Sequence, residues 1–286
     1  MPSSPGNREQ PLPQGAVGRD VDRHRAGGVT RVRDAVAEEI PVAFVYNGHP
    51  HAVMMASPLD LEDFALGFSL SEAIIDDAAQ FEAVEVVEAL AGIELRVTIP
   101  AEKAALLGER VRELTGRTGC GLCGAQTLDA AVRHPAAVAN APEVDEGSIM
   151  AALLKLHDLQ PLNIVTGAVH AAAWALHDGV IVQAREDVGR HNALDKLIGA
   201  LMRKNVDLRE GFLVVTSRAS YEMVMKAASV GIGTLVAISA PTALAIALAR
   251  ETNVTLVGFA RAEGFSVYAN AERVRRRASA QRSIAT

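Results

Sequence analysis

Apolar residues in the second half of this chain fall into short runs at 212–216, 234–238 and 254–259. Between them lie stretches of helical spacing at 191–203, 221–229 and 241–250. This alternation predicts strands joined by helical crossovers on a largely parallel sheet. Ligands on such sheets bind at the carboxyl ends of the strands. Here those ends are Thr216-Ser217-Arg218, Ser239-Ala240-Pro241 and Phe259-Ala260-Arg261. Upstream, 172–176 and 180–185 flank His177-Asp178-Gly179 as a hairpin, and a helix is expected around 149–159.

The first half reads as α+β. Runs at 42–46 and 52–55 flank Asn47-Gly48, a favoured turn pair, as a hairpin with a somewhat long loop. Ser57 and Pro58 resemble the cap and first position of a helix reaching about residue 75. A second hairpin is expected at 84–90 and 93–99, then an amphipathic helix at 101–114. Residues 1–30 mix Pro, Gly, Arg and Asp without periodicity and are expected to be disordered. The Ala/Pro-rich stretch 134–146 marks a soft boundary. It separates an α+β domain at 31–140 from an α/β domain at 147–286.

Composition narrows the function. Of 286 residues 49% are hydrophobic, enough for a large core, while aromatics at 4% favour helices packed on a sheet. A net charge of -6 argues against nucleic-acid binding, which needs surplus cations. The basic run 273–277 is given no role, since a solvated helix end explains it. No run approaches the roughly 20 apolar residues of a membrane span, and the N-terminus lacks the pattern of a secretory signal. A soluble, cytoplasmic protein is expected.

The only two cysteines, Cys120 and Cys123, sit among four glycines in the loop 116–124 beside Arg117, at the end of the helix 101–114. Glycine lets backbone move and partners approach, and a cation favours the reactive thiolate. Metal ligation, dithiol redox and sulfur relay all remain open for a Cys-x-x-Cys pair. The zinc deaminase pattern is absent: His170 lies after the cysteine pair and Ala172 stands where the catalytic Glu belongs. The segment 185–196 packs seven charged or imidazole groups at a strand-to-helix turn. Arg190 and His191 at a helix start suit an anion, and a salt-bridged surface turn is the competing explanation. His157 and His177 read as surface residues, and Met223 and Met225 as packing.

Taken together, these segments resemble the formate dehydrogenase accessory sulfurtransferase family, the FdhD family. The resemblance runs through 42–48, 61–68, Thr118-Gly119-Cys120-Gly121-Leu122-Cys123-Gly124, 186–196 and Ser217-Arg218-Ala219-Ser220. It implies a cytidine-deaminase-like α/β C-terminal domain beside a smaller α+β N-terminal domain. It further implies a carrier that takes sulfane sulfur from a cysteine desulfurase and passes it to molybdenum bis-molybdopterin guanine dinucleotide for formate dehydrogenase. The resemblance makes Cys120 the persulfide residue and Cys123 its relay partner. It puts the cofactor on Phe259, Ala260, Arg261, Ala262, Glu263 and Gly264, with a guanine nucleotide near Ser217 and Arg218. Arg190 and His191 join this set as anion contacts. A homodimer is implied, and no zinc. The alternative is a non-catalytic chaperone for the molybdenum cofactor. Ala168-Val169 before His170 departs from the family's glycine and small polar residue. A hydroxyl role there is not expected.

Overall fold

The computed structural model describes residues 11–114, 133–139, 141–261 and 263–276. Strands β1 (Ala16–Arg25) and β2 (Gly28–Ala37) form a two-stranded antiparallel ribbon. Strands β3 (Ile40–Tyr46), β4 (His49–Ala56), β5 (Ala83–Ala89) and β6 (Gly92–Thr98) form a four-stranded sheet in the order β4-β3-β6-β5. Helix α1 (Leu61–Ser71) follows β4, and α2 (Ala101–Leu114) follows β6. After β7 (Val144–Asp145) come α3 (Glu146–Leu156) and α4 (Pro161–Thr166). The chain continues through β8 (His170–Leu176), β9 (Ile181–Asp187), α5 (Arg190–Arg203), β10 (Gly211–Val215) and α6 (Tyr221–Ser229). It finishes with β11 (Thr234–Ala237), α7 (Ala243–Glu251), β12 (Thr255–Arg261), β13 (Gly264–Ala269) and β14 (Val274–Arg275). The larger sheet has the order β13-β12-β11-β10-β8-β9. No described helix is long and apolar enough to cross a membrane.

Several expectations change. The stretch to residue 30 is not wholly disordered: β1 and the start of β2 lie within it, and the two strands pair with Asp20 opposite Arg33 and Asp22 opposite Arg31. These opposite charges face each other across the ribbon, a stabilisation that composition alone hides. The first hairpin has no long loop. Asn47 and Gly48 form a two-residue turn with φ of 46° and 84°, the left-handed geometry this pair favours. Ser57 does not cap α1, which begins at Leu61 after Asp60; the Ser57 backbone is used elsewhere, as described below. The helix also stops at Ser71, short of residue 75, where Ala73 turns to φ 52°. The large sheet is parallel only through β10, β11 and β12; β8, β9 and the unforeseen β13 run antiparallel.

Period-two alternation sorts the sheet residues into two cores. Ala172, Trp174, Leu213, Val215, Leu235 and Leu256 face one side, with α5, α6 and α7. Ala173, Ala175, Phe212, Val214, Val236 and Val257 face the other, against Ile149, Ala152 and Leu156 of α3. The first core continues past α5 to Phe64 and Phe68 of α1 and on to Val42, Phe44 and Leu95 of the smaller sheet. One apolar cluster therefore spans both sides of the expected boundary.

The junction is the crossing of α1 with α5. A Cβ on Gly67 would lie 1.7 Å from the Asp195 carbonyl oxygen, and one on Gly199 would lie 1.9 Å from that of Asp63. Backbone touches backbone, so no side chain fits at either position. Gly67→Ala or Gly199→Ala should cost at least about 3 kcal/mol, as overpacking does at a rigid contact. Urea denaturation reads this directly; an unchanged midpoint would mean that the helices separate freely.

Candidate functional site

The segment 185–196 does two separate jobs. Asp187 and Lys196 are fully buried and paired at 2.6 Å. Lys196 Nζ also donates to Ser57 O at 2.9 Å, and Ser57 N donates to Asp187 Oδ2 at 3.0 Å. Asn192 Nδ2 bridges Asp187 Oδ1 at 2.9 Å and Met55 O at 2.8 Å. Burial lowers the Lys196 pKa against the pull of Asp187. One turn on, buried Asp195 accepts from Ser71 Oγ at 2.6 Å and from Lys226 Nζ of α6 at 2.9 Å. Burial raises the Asp195 carboxyl above its usual range even with Lys226 beside it. The surface-turn explanation therefore fails for Asp187, Asn192, Asp195 and Lys196, which bind α5 to the first half of the chain.

Arg190 and His191 are left at the start of α5, half-buried and facing the carboxyl edge of the large sheet. Because β8 and β9 run antiparallel to their neighbours in turn, the start of β8 and the end of β9 reach that same edge. His170 pairs in register with Asp187 there. His191 Nε2 lies 2.8 Å from Glu222 Oε2 in the first turn of α6. That contact is the main cause holding Glu222 below its ordinary pKa. His170 is also depressed, first by burial and then by the charges of Arg190 and His191.

Backbone hydrogen bonds join the loops along the edge. Thr216 N donates to Ala171 O at 3.0 Å, Thr242 N to Ala219 O at 3.0 Å, and Phe259 N to Ser239 O at 3.1 Å. Ser217 is buried, its hydroxyl donating to Arg218 O at 3.0 Å, while the Arg218 side chain is exposed. Further along, Phe259 adopts φ 51° and remains 46% exposed. A left-handed conformation at an aromatic residue costs about 1–2 kcal/mol, so the surrounding bulge must impose it. That bulge, between Gly258 and Arg261, buries Ala260 and turns Phe259 outward. Phe259, Arg261, Glu263, Gly264, Phe265 and Ser266 line a shallow cavity of about 270 Å³.

Arg190, His191, Ser217, Arg218 and the 259–264 turn, drawn from far-apart stretches, thus share one edge. Cys120, Cys123 and Ala262 lie outside the described residues. Among the described residues no three His, Cys, Asp or Glu side chains gather as metal ligands. Sequence inspection missed Glu222, which nothing in Tyr221-Glu222-Met223-Val224 marks as a partner for His191. Arg190→Gln should move the His170 midpoint partway back toward 6.5, burial keeping the remainder. A proton titration of the imidazole by NMR reads the shift, and an unmoved midpoint would remove Arg190 from the His170 environment.

Residues 37–275 match the model of the FdhD/NarQ family. The chain is 53% identical over 272 residues to the sulfur carrier protein FdhD of Xanthomonas euvesicatoria pv. vesicatoria strain 85-10, covering 95% of this chain and 96% of that one. It is 49% identical over 278 residues to the protein of that name in Cupriavidus necator H16, covering 97% and 96%. A crystal structure of a proposed formate dehydrogenase accessory protein from Desulfotalea psychrophila superposes with a TM-score of 0.70 at 25% identity. It covers 93% of this chain and 100% of that one.

Proposed function

The chain belongs to the FdhD/NarQ family, and on that premise we propose that it carries sulfur from a cysteine desulfurase to molybdenum bis-molybdopterin guanine dinucleotide, the substrate destined for formate dehydrogenase. The observation that carries this proposal is the single edge holding Arg190, His191, Arg218 and Arg261. From β12 to β9 this edge spans four inter-strand steps, about 19 Å. That length suits an extended substrate with several phosphates, and cations with helix N-termini suit their charge. The Phe259 side chain offers an exposed ring face at the β12–β13 turn.

In the proposed chemistry the Cys120 thiolate attacks the outer sulfur of the donor's persulfide. The donor's S–S bond breaks and its cysteine thiolate leaves, so a persulfide is exchanged without net oxidation. For delivery as sulfide, the Cys123 thiolate attacks the Cys120 sulfur. A Cys120–Cys123 disulfide forms and hydrosulfide leaves, its two electrons supplied by the thiol pair; a thiol reductant then restores both cysteines. The cytidine-deaminase-like description of the second half, the homodimer and the cytoplasmic location belong to this same proposal.

Incubation with a cysteine desulfurase and cysteine should add one reductant-labile sulfur on the Cys120 peptide, read by intact mass and peptide mapping. Cys120→Ala should abolish it. Cys123→Ala should load but fail to restore formate dehydrogenase in a host lacking its own copy. Restored activity in the double variant would replace sulfur transfer with a cofactor chaperone.

A further inference from the structure

The described chain resumes after the cysteines at Arg133, ten residues beyond Cys123, and it is held there at once. Arg133 Nη1 donates to Glu72 O at 2.8 Å, and Nη2 pairs with the Glu72 carboxylate. The Tyr221 hydroxyl donates to Arg133 O at 2.6 Å. Further pins follow along the chain. His134 Nδ1 lies 2.8 Å from Glu251 Oε1, Val138 N donates to Thr252 O at 2.9 Å, and Asn253 Nδ2 donates to Val138 O at 2.9 Å.

Glu72 is an unusually well-prepared acceptor. Its Oε1 lies 2.7 Å from Lys226 Nζ, and Lys226 is itself buried and bound to Asp195 and Ser71. Burial pushes the Glu72 carboxyl up, but Lys226 and Arg133 together hold it below the ordinary range. Because Lys226 has already fixed the carboxylate, docking Arg133 orders only one further side chain. The Arg133 side chain is 41% exposed, so its loss leaves Glu72 paired and costs the fold little.

The place of this anchor gives it a consequence. Tyr221 is the first residue of α6, and its neighbour Glu222 holds His191 on the carboxyl edge. We infer that Arg133, seated on Glu72 and Tyr221, is a positioning residue for sulfur delivery: it fixes the point at which the described chain resumes, ten residues beyond Cys123, against the helix turn that also orients His191. This inference rests on the sulfur-carrier proposal. Its role lies in delivery, the step that the sulfur-carrier proposal places at the carboxyl edge, whereas loading is exchange with a separate donor protein.

The test uses the full chain with Arg133→Gln, Arg133→Lys and Tyr221→Phe. Persulfide loading from a cysteine desulfurase with cysteine is read by intact mass. Delivery is read as formate dehydrogenase activity in a host lacking its own copy, normalised to soluble protein, and thermal unfolding is measured alongside. Arg133→Gln should load within twofold of wild type yet deliver at least tenfold less, with Arg133→Lys recovering part and Tyr221→Phe showing a smaller fall. Tyr221→Phe carries the test if Arg133→Gln is insoluble. Delivery within twofold of wild type in the soluble variants would overturn the inference, as would loading and delivery falling together with the unfolding temperature. Wild-type protein that takes up no sulfur would instead overturn the sulfur-carrier proposal itself.

Discussion

The backbone-to-backbone crossing of α1 and α5 at Gly67 and Gly199 is the contact on which the rest of the molecule depends. Two buried ion pairs flank it, Asp187 with Lys196 and Asp195 with Lys226. A close helix crossing alone would permit sliding along the ridges, whereas sliding would part these buried charges from partners fixed on other elements. Removing Asp187 would leave Lys196 as an uncompensated buried charge, which costs about 3–5 kcal/mol. The pairs therefore set the register of the two helices, and the glycines set their separation.

That register determines what α5 presents. With Asp187, Asn192, Asp195 and Lys196 turned inward, Arg190 and His191 are left at the helix start, where backbone N–H groups add to the positive charge of Arg190. Lys226 holds α6 through Asp195, and α6 in turn brings Glu222 to His191. Structural charges and edge charges are thus neighbours on the same helices, separated by one turn. The dense charge of this segment reflects both demands.

The mixed sheet completes the edge. The parallel core of β10, β11 and β12 places three loops on one side, as crossovers of one hand require. Antiparallel β8 and β9 bring His170 and the start of α5 to the same side, and β13, antiparallel to β12, places the start of β13 at that side as well. An all-parallel sheet would have needed a crossover connection before each of these strands.

Local patterns were enough to locate most elements, because turn chemistry and period are properties of neighbouring residues. The helix 101–114 and the helix 221–229 were legible to the residue, whereas the expected strand-end segment Phe259-Ala260-Arg261 proved to be the last part of β12 itself. The β1–β2 ribbon was not, since the register that sets its opposite charges across from one another is invisible until the strands meet. Ser57 was misjudged for a related reason: it has the local form of a cap, but a buried aspartate 130 residues away takes its N–H. Likewise Asp187 and Lys196 could be recognised as chemically dense but not divided from Arg190 and His191. Residue type states what a group can bind; whether it faces a core or an edge depends on long-range packing.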